Sequence, residues 1–148
     1  MAAAADADPG AVGARAAAKA VASQDPRPLD PGVYTVVLEP AAVSTLVGFL
    51  AYMGFGGRSI IEGRSCFSGK LGEKVAAEAI QIWDDGTDAL TLGVPFDFEG
   101  VPRRRVELIR DGRFVDGVYD LRTAKMANTQ STGHGLPSPN PEGPFPLN

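Results

Sequence analysis

The chain contains one histidine, His134, the only side chain available as an imidazole base for nucleophilic catalysis. The candidate nucleophiles are three loop serines and the single cysteine: Ser65, Ser68, Ser131 and Cys66. No Gly-x-Ser-x-Gly motif occurs, although that motif presents the nucleophile in many hydrolases. A hydrolase that uses His134 with a serine is therefore one hypothesis. The alternative is a loop histidine that hydrogen-bonds to the backbone.

Four carboxylates could coordinate a hard cation, because carboxylate oxygens suit magnesium and calcium. They are Asp84, Asp85, Asp97 and Glu99, and their spacing matches no known binding loop. The sequence Asp-Asp-Gly at 84–86 is more typical of a turn. One histidine and one cysteine do not make a histidine-rich zinc site.

The stretch "TLVGFLAYMGFGG", residues 45–57, carries no charge and ends in closely spaced glycines. Phosphate-binding loops follow a strand and open a helix. Here the glycine-rich "GFGGRS" follows a predicted helix instead, so the pattern does not favour phosphate binding.

The net charge of −4 and the pI near 4.9 argue against nucleic acid as a partner, because phosphate neutralisation needs a basic excess. The run of arginines at 103–105 is interpreted as a solvated strand edge. Residues 40–57 are too short and too interrupted by glycine for a membrane span. A lone cysteine and a start without a basic segment favour a cytoplasmic protein.

Helical signals occur at three places. The Asp8-Pro9 pair predicts a capped helix over 9–22. Pro40 suits the first turn of a helix over 41–53, whose apolar positions recur at helical spacing and indicate a buried face: Val43, Leu46, Val47, Leu50 and Ala51. Asp120 predicts a short capped helix that ends at Asn128.

Strand signals alternate with these helices. The β-branched run 33–40 predicts one strand, and 79–83 predicts a second. Asp111-Gly112 predicts a type I′ hairpin within 103–120. Long loops over 54–72 and 87–102 complete an α+β pattern of mixed strands and helices.

Composition divides the chain into three parts. Residues 1–30 are an alanine-rich helix with a proline-rich linker, 31–130 are the main domain segment, and 131–148 are a Gly/Pro-rich tail. We expect the tail to be extended and poorly packed on its own.

Six stretches, in order, resemble the TldD/PmbA family, also called TldD/TldE or modulator-of-gyrase proteins. They are "GVYTVVLEPAAVSTLVGFLA", "FSGKLGEKV", "IWDDG", "PFDFEGVPRRRVELIRDGRF", "TAKMANTQSTGHG" and "PSPNP". The resemblance covers about residues 31–140. It implies that the chain is a fragment of the larger TldD/PmbA fold, corresponding to a central segment.

The resemblance also implies a chemistry. Active family members resemble zinc metallopeptidases with an HExxxH motif on a helix, and they act on unfolded or leader peptides. The motif's first histidine, its glutamate and its second histidine fall on Gly48, Phe49 and Met53. None of the three suits the role, since zinc prefers nitrogen and thiolate ligands and Phe49 cannot accept a proton. The resemblance is therefore to the TldE/PmbA branch, and "STGHG" is similar to a TldE motif.

The leading expectation is a catalytically silent partner of a TldD-like zinc peptidase. No cofactor is expected on this chain, zinc is expected in that partner, and an extended peptide is the expected substrate. Candidate peptide-binding residues lie in the 67–74 loop and in the motif near the tail: Ser131, Thr132, Gly133, His134 and Gly135. The alternative is a truncated remnant without activity.

Overall fold

The computed structural model describes residues 8–88, 93–140, 143–144 and 146. The chain divides into two compact units, Met1–Leu38 and Glu39–Asn148. Each unit is described by itself below. The expected division at 30 and 130 stays a prediction.

In the first unit, residues 8–38 are described, and they form one helix, α1, which spans Pro9–Ala22. Its first turn is capped as expected, because the Asp8 side chain accepts a hydrogen bond from the Ala11 N–H at 3.1 Å. No residue of α1 is buried. The strand expected over 33–40 is wrong: residues 33–39 form neither helix nor strand, and Val33 is fully exposed. A β-branched run forms a strand only where a neighbour pairs with it.

The described residues of the second unit form three helices and three strands. In chain order these are α2 (Pro40–Gly54), α3 (Gly57–Ile61), β1 (Ile82–Asp84), β2 (Val106–Arg110), β3 (Arg113–Phe114) and α4 (Leu121–Met126). The strands form one antiparallel sheet in the order β1-β2-β3. The α+β class is confirmed, whereas α3 lies in a stretch expected to be loop.

The β2–β3 hairpin forms where the sequence predicts it. Asp111 and Gly112 both have positive φ, 50° and 71°, as a type I′ turn requires. A Cβ on Gly112 would lie 2.5 Å from the Ala76 carbonyl oxygen, so glycine is also needed for space. The short helix α4 is likewise confirmed, with Asp120 and Thr123 forming a reciprocal capping box.

The core of the second unit centres on three stacked phenylalanine rings. Phe67 lies between Phe55 and Phe114, with ring centroids 4.9 and 4.8 Å apart. Aliphatic side chains from the sheet and from Val118 complete this core.

Helix α2 meets this core only at its C-terminal end, where Gly54 is buried against Phe67. Leu50 and Ala51 pack on the core's edge, as the apolar stripe predicts. Val43 and Leu46, however, are 42% and 59% exposed, so the prediction of a buried helix is wrong for them. Within the 39–148 unit, the described residues form no second layer over the N-terminal turns of α2.

The expectation of a poorly packed tail is wrong for residues 132–135, which are buried. Further along, Pro144 is buried and its carbonyl oxygen lies against Gly56. A side chain at Gly56 would displace it, so the glycines after α2 leave room for the tail.

Candidate functional site

Asp84, Arg103 and His134 form one buried network. Arg103 Nη2 donates to Asp84 Oδ2 at 2.6 Å, and His134 Nε2 lies 2.8 Å from the same oxygen. The side chains of Asp84 and Arg103 are each 1% exposed, and His134 is fully buried. A carboxylate removed from water is stable only when it is paired and hydrogen-bonded. Here a guanidinium and an imidazole both contact one carboxylate oxygen.

Three segments distant in sequence supply these side chains. Asp84 is the last residue of β1, and Arg103 lies three residues before β2, the strand that pairs with β1. The Arg103 backbone is fixed because its N–H donates to the Pro95 carbonyl at 2.9 Å. His134 comes from the loop after α4. The interpretation of Arg103 as part of a solvated strand edge is therefore wrong, whereas Arg104 and Arg105 are exposed.

The other ring nitrogen of His134 is also engaged. Nδ1 lies 2.9 Å from Thr132 Oγ1 and 3.1 Å from the Thr132 carbonyl oxygen. Thr132 Oγ1 in turn accepts from the Tyr119 N–H at 2.7 Å. Both ring nitrogens therefore have polar partners inside the protein. These hydrogen bonds fix the orientation of the ring, which is typical of a histidine with a structural role.

The glycines on either side of His134 fit tight spaces. Gly133 has φ of +75°, and a Cβ there would lie 2.6 Å from the Pro102 carbonyl oxygen. The Gly135 N–H donates to Asp97 Oδ2 at 2.6 Å, while Asp97 Oδ1 accepts from the N–H groups of Glu99 and Val101. The 132–135 segment is therefore clamped between the 97–103 loop and Tyr119.

A half-buried pair borders this clamp. Burial raises the pKa of Tyr119, and the nearby charge of Asp116 adds to that effect. Burial also raises the pKa of Asp116, opposed by a hydrogen bond from the Gly117 N–H and by the charge of Arg104. Asp85 follows Asp84 in the chain, and hydrogen bonds from the Thr87 hydroxyl and N–H lower the pKa of Asp85.

The serines considered as nucleophiles for a hydrolase, Ser131 and Ser65, do not hydrogen-bond to His134. Ser131 Oγ donates to the Tyr119 carbonyl oxygen at 3.0 Å, and Ser65 Oγ donates to the Gly54 carbonyl oxygen. The hydroxyl that does contact His134 belongs to Thr132, which is fully buried. A base needs reach to the proton that it abstracts, and this ring is closed to a substrate.

The aspartates considered as ligands for a hard cation are engaged by other groups of the protein. Asp84 binds Arg103 and His134, and Asp97 accepts three backbone N–H groups. Asp85 forms the expected turn, in which its side chain accepts from Thr87. Within residues 8–88 and 93–140 no three His, Cys, Asp or Glu side chains converge in a way that could hold a metal ion.

The positions matched to HExxxH lie on α2 and face away from the core. Phe49 is 60% exposed and Met53 is 59% exposed, and a Cβ on Gly48 would meet nothing within 4 Å. These three residues offer one thioether sulfur and no nitrogen, carboxylate or thiolate. The donor set therefore does not fit zinc.

The structure thus joins sequence signals that looked independent. It places His134 with Asp84 and Arg103 in a buried network, whereas Gly48, Phe49 and Met53 lie on the exposed side of α2. Peptide binding by Ser131, Thr132, Gly133, His134 and Gly135 stays a prediction, and Ser131 is the half-buried member. Sequence reasoning missed the roles of Asp84 and Arg103. The available signal was that each lies in a stretch that carries the family resemblance.

None of the helices in the described part of the chain is both long and apolar enough to cross a membrane.

Relatives of known sequence and structure cover the same region. The chain is 34% identical over 105 residues to a metalloprotease TldD homolog from Buchnera aphidicola, a match that spans 70% of this chain and 22% of the relative. A crystal structure of a candidate modulator of a DNA gyrase from Thermotoga maritima superposes with a TM-score of 0.83 at 28% identity. That match covers 95% of this chain and 32% of the other.

A second solved structure is TldE from Thermococcus kodakarensis, with a TM-score of 0.58 and 34% identity over 70% of this chain and 24% of TldE. The chain spans about a quarter of the length of the curated relatives that it matches.

Residues 31–144 match the family model described as the PmbA/TldA metallopeptidase C-terminal domain. The match covers most of the chain and includes the sheet, α2 and the buried network. It contains all six stretches quoted from the sequence. The chain therefore belongs to the TldD/PmbA family of metallopeptidase-related proteins.

Proposed function

We propose that this chain is a catalytically silent, TldE-like partner of a TldD-like zinc peptidase that acts on unfolded or leader peptides. The observation that carries the proposal is the chemistry of α2. Its motif positions hold Gly48, Phe49 and Met53, which cannot bind zinc or activate water.

Helix α2 retains the features of a packing element. Leu50 and Ala51 contact the core, and the side that holds Leu46, Phe49 and Met53 is apolar and exposed. A helix that is apolar on all sides is normally covered on all sides. An exposed apolar face is typical of a protein that works in an assembly.

The single histidine supports the same conclusion. His134 is fully buried and bonded to Asp84, so it supplies no alternative catalytic base. Cys66 is free and exposed, which suits a reducing compartment, and we place the assembly in the cytoplasm.

The test is co-expression of the chain with the TldD-like peptidase of the same organism. We expect the two to co-purify and the pair to degrade fluorescein-labelled casein faster than the peptidase alone. Replacing the HExxxH glutamate of the peptidase with glutamine should abolish the activity of the pair. No co-purification, together with equal rates for the pair and the peptidase alone, would overturn the proposal.

A truncated remnant is the second candidate, favoured by the small core and by the exposed face of α2. A remnant would melt without a cooperative transition. Circular dichroism during heating separates the two, since a silent subunit that folds on its own should show a single sharp transition.

A further inference from the structure

The 39–148 unit contains a groove of about 550 Å³ beside its sheet. Its apolar lining includes Phe67, Ile82 and Ile109, and the exposed lysines Lys70 and Lys74 also line it. We call it the lysine groove. Its volume is in the range of sites that take small ligands or a few residues of peptide. The 67–74 loop, which the sequence singles out, forms much of one side.

The groove has a positive net charge, whereas the chain as a whole is negatively charged. The chain carries −4 overall, yet the charged residues that line the groove are two lysines and Glu73. Within the described residues neither lysine forms an ion pair. Positive charge beside an apolar floor favours an apolar ligand that also carries negative charge.

We propose that the lysine groove binds an extended peptide segment in which an apolar side chain is flanked by aspartate or glutamate. The apolar side chain packs on Ile80 and Ile82, and the flanking carboxylates face Lys70 and Lys74. The choice of a peptide ligand rests on the proposed function. The uncharged face of α2 carries no such argument, because nothing in the structure selects its occupant.

Cys66 provides a built-in reporter, because it lines the groove, is exposed and is the only cysteine of the chain. The experiment measures the rate at which iodoacetamide alkylates the full chain, followed by intact mass. The probe is the peptide acetyl-Asp-Glu-Leu-Phe-Asp-Glu-amide, and the control peptide has lysine at each acidic position. At ten times its Kd the acidic peptide should slow alkylation about tenfold.

Charge reversal tests the lysines. The double variant Lys70→Glu, Lys74→Glu should lose the protection, whereas Arg122→Glu, Lys125→Glu has the same net charge outside the groove and should keep it. Raising the salt to roughly 0.5 M should weaken protection of the unaltered chain, which tests the charge term without any substitution.

Equal protection by the acidic and lysine peptides, or none at millimolar concentration, would overturn the inference. Retained protection in the groove variant would do the same. The assay contains no peptidase, so its failure leaves the proposed pairing standing. Conversely, protection by the acidic peptide, together with no co-purification and equal peptidase rates, would overturn the pairing alone.

Discussion

Helix α2 and the loops around His134 have exposures opposite to those that their compositions predict. Phe49 and Met53, in an uncharged helix, are 60% and 59% exposed, whereas Asp84 is 1% exposed and His134 is fully buried. Burial here follows the availability of partners. The charged residues contact each other inside the unit, whereas Leu46, Phe49 and Met53 on the outer face of α2 stay exposed.

The difference separates two kinds of contact. The network stabilises the unit, since its hydrogen bonds between Asp84, Arg103 and His134 join three segments that are distant in sequence. The outer face of α2 adds little to the unit that carries it. We expect substitutions in the network to lower the free energy of unfolding. We expect substitutions on the outer face of α2 to change association with a partner and to leave the free energy of unfolding nearly unchanged.

The largest expected effect is at Arg103. Arg103→Met keeps much of the side chain's volume but leaves Asp84 buried without its cation. Removing one partner of a buried ion pair costs about 3–5 kcal/mol of the free energy of unfolding. Urea denaturation measures this cost. The control Arg104→Met, on the exposed neighbour, should change it by less than about 0.5 kcal/mol, and similar losses for both variants would contradict the network's role.

Two phenylalanines test the comparison directly. Phe55 is fully buried in the aromatic stack, so Phe55→Ala should cost about 3–5 kcal/mol of unfolding free energy. Phe49→Ala should cost less than about 0.5 kcal/mol, because its ring packs on little within the unit. Thermal and urea melts of the two variants check the difference. A large loss at Phe49 would show that α2 is packed more fully than the structure indicates.

Two glycines with the same backbone geometry separate strain from crowding. Gly133 and Gly69 both have φ of +75°, but only Gly133 has neighbours where a Cβ would lie. Gly69→Ala should cost about 1 kcal/mol for the left-handed conformation alone. Gly133→Ala should cost at least about 1 kcal/mol more, because the Pro102 carbonyl and the Arg103 backbone cannot move freely. Equal losses in urea denaturation would argue that the clamp is loose.

The sequence predicts local structure well where a few adjacent residues decide it. The caps at Asp8 and Asp120 and the hairpin at Asp111-Gly112 depend on bonds within three or four residues. The strand expected over 33–40 fails because a strand also needs a neighbour. The Asp84–Arg103–His134 network escapes prediction for the same reason: 19 and 31 residues separate its members along the chain. The family resemblance, by contrast, identifies both α2 and the "STGHG" loop.

Asp116 is intermediate in exposure between the buried Asp84 and the exposed face of α2. Its substitution gives the smallest expected effect on stability. It is half-buried, with the Gly117 N–H as its hydrogen-bond donor at 2.8 Å, and burial raises its pKa. A carboxyl whose pKa is higher in the folded state than in the unfolded state favours folding when protonated. Its charge therefore costs stability above the folded pKa, and the cost disappears as the pH falls below the unfolded value of about 3.9.

Asp116→Asn keeps the oxygen that accepts from Gly117 and removes the charge. We expect the variant to be more stable than the parent at pH 7, by less than about 1 kcal/mol because the group is half exposed. The gain should shrink towards zero near pH 3.5, as the parent carboxyl protonates. Urea denaturation at both pH values measures it. A variant less stable at pH 7 would mean that the charge of Arg104 outweighs burial, and Asp116 would then belong with Asp84 as a carboxylate held by its cation.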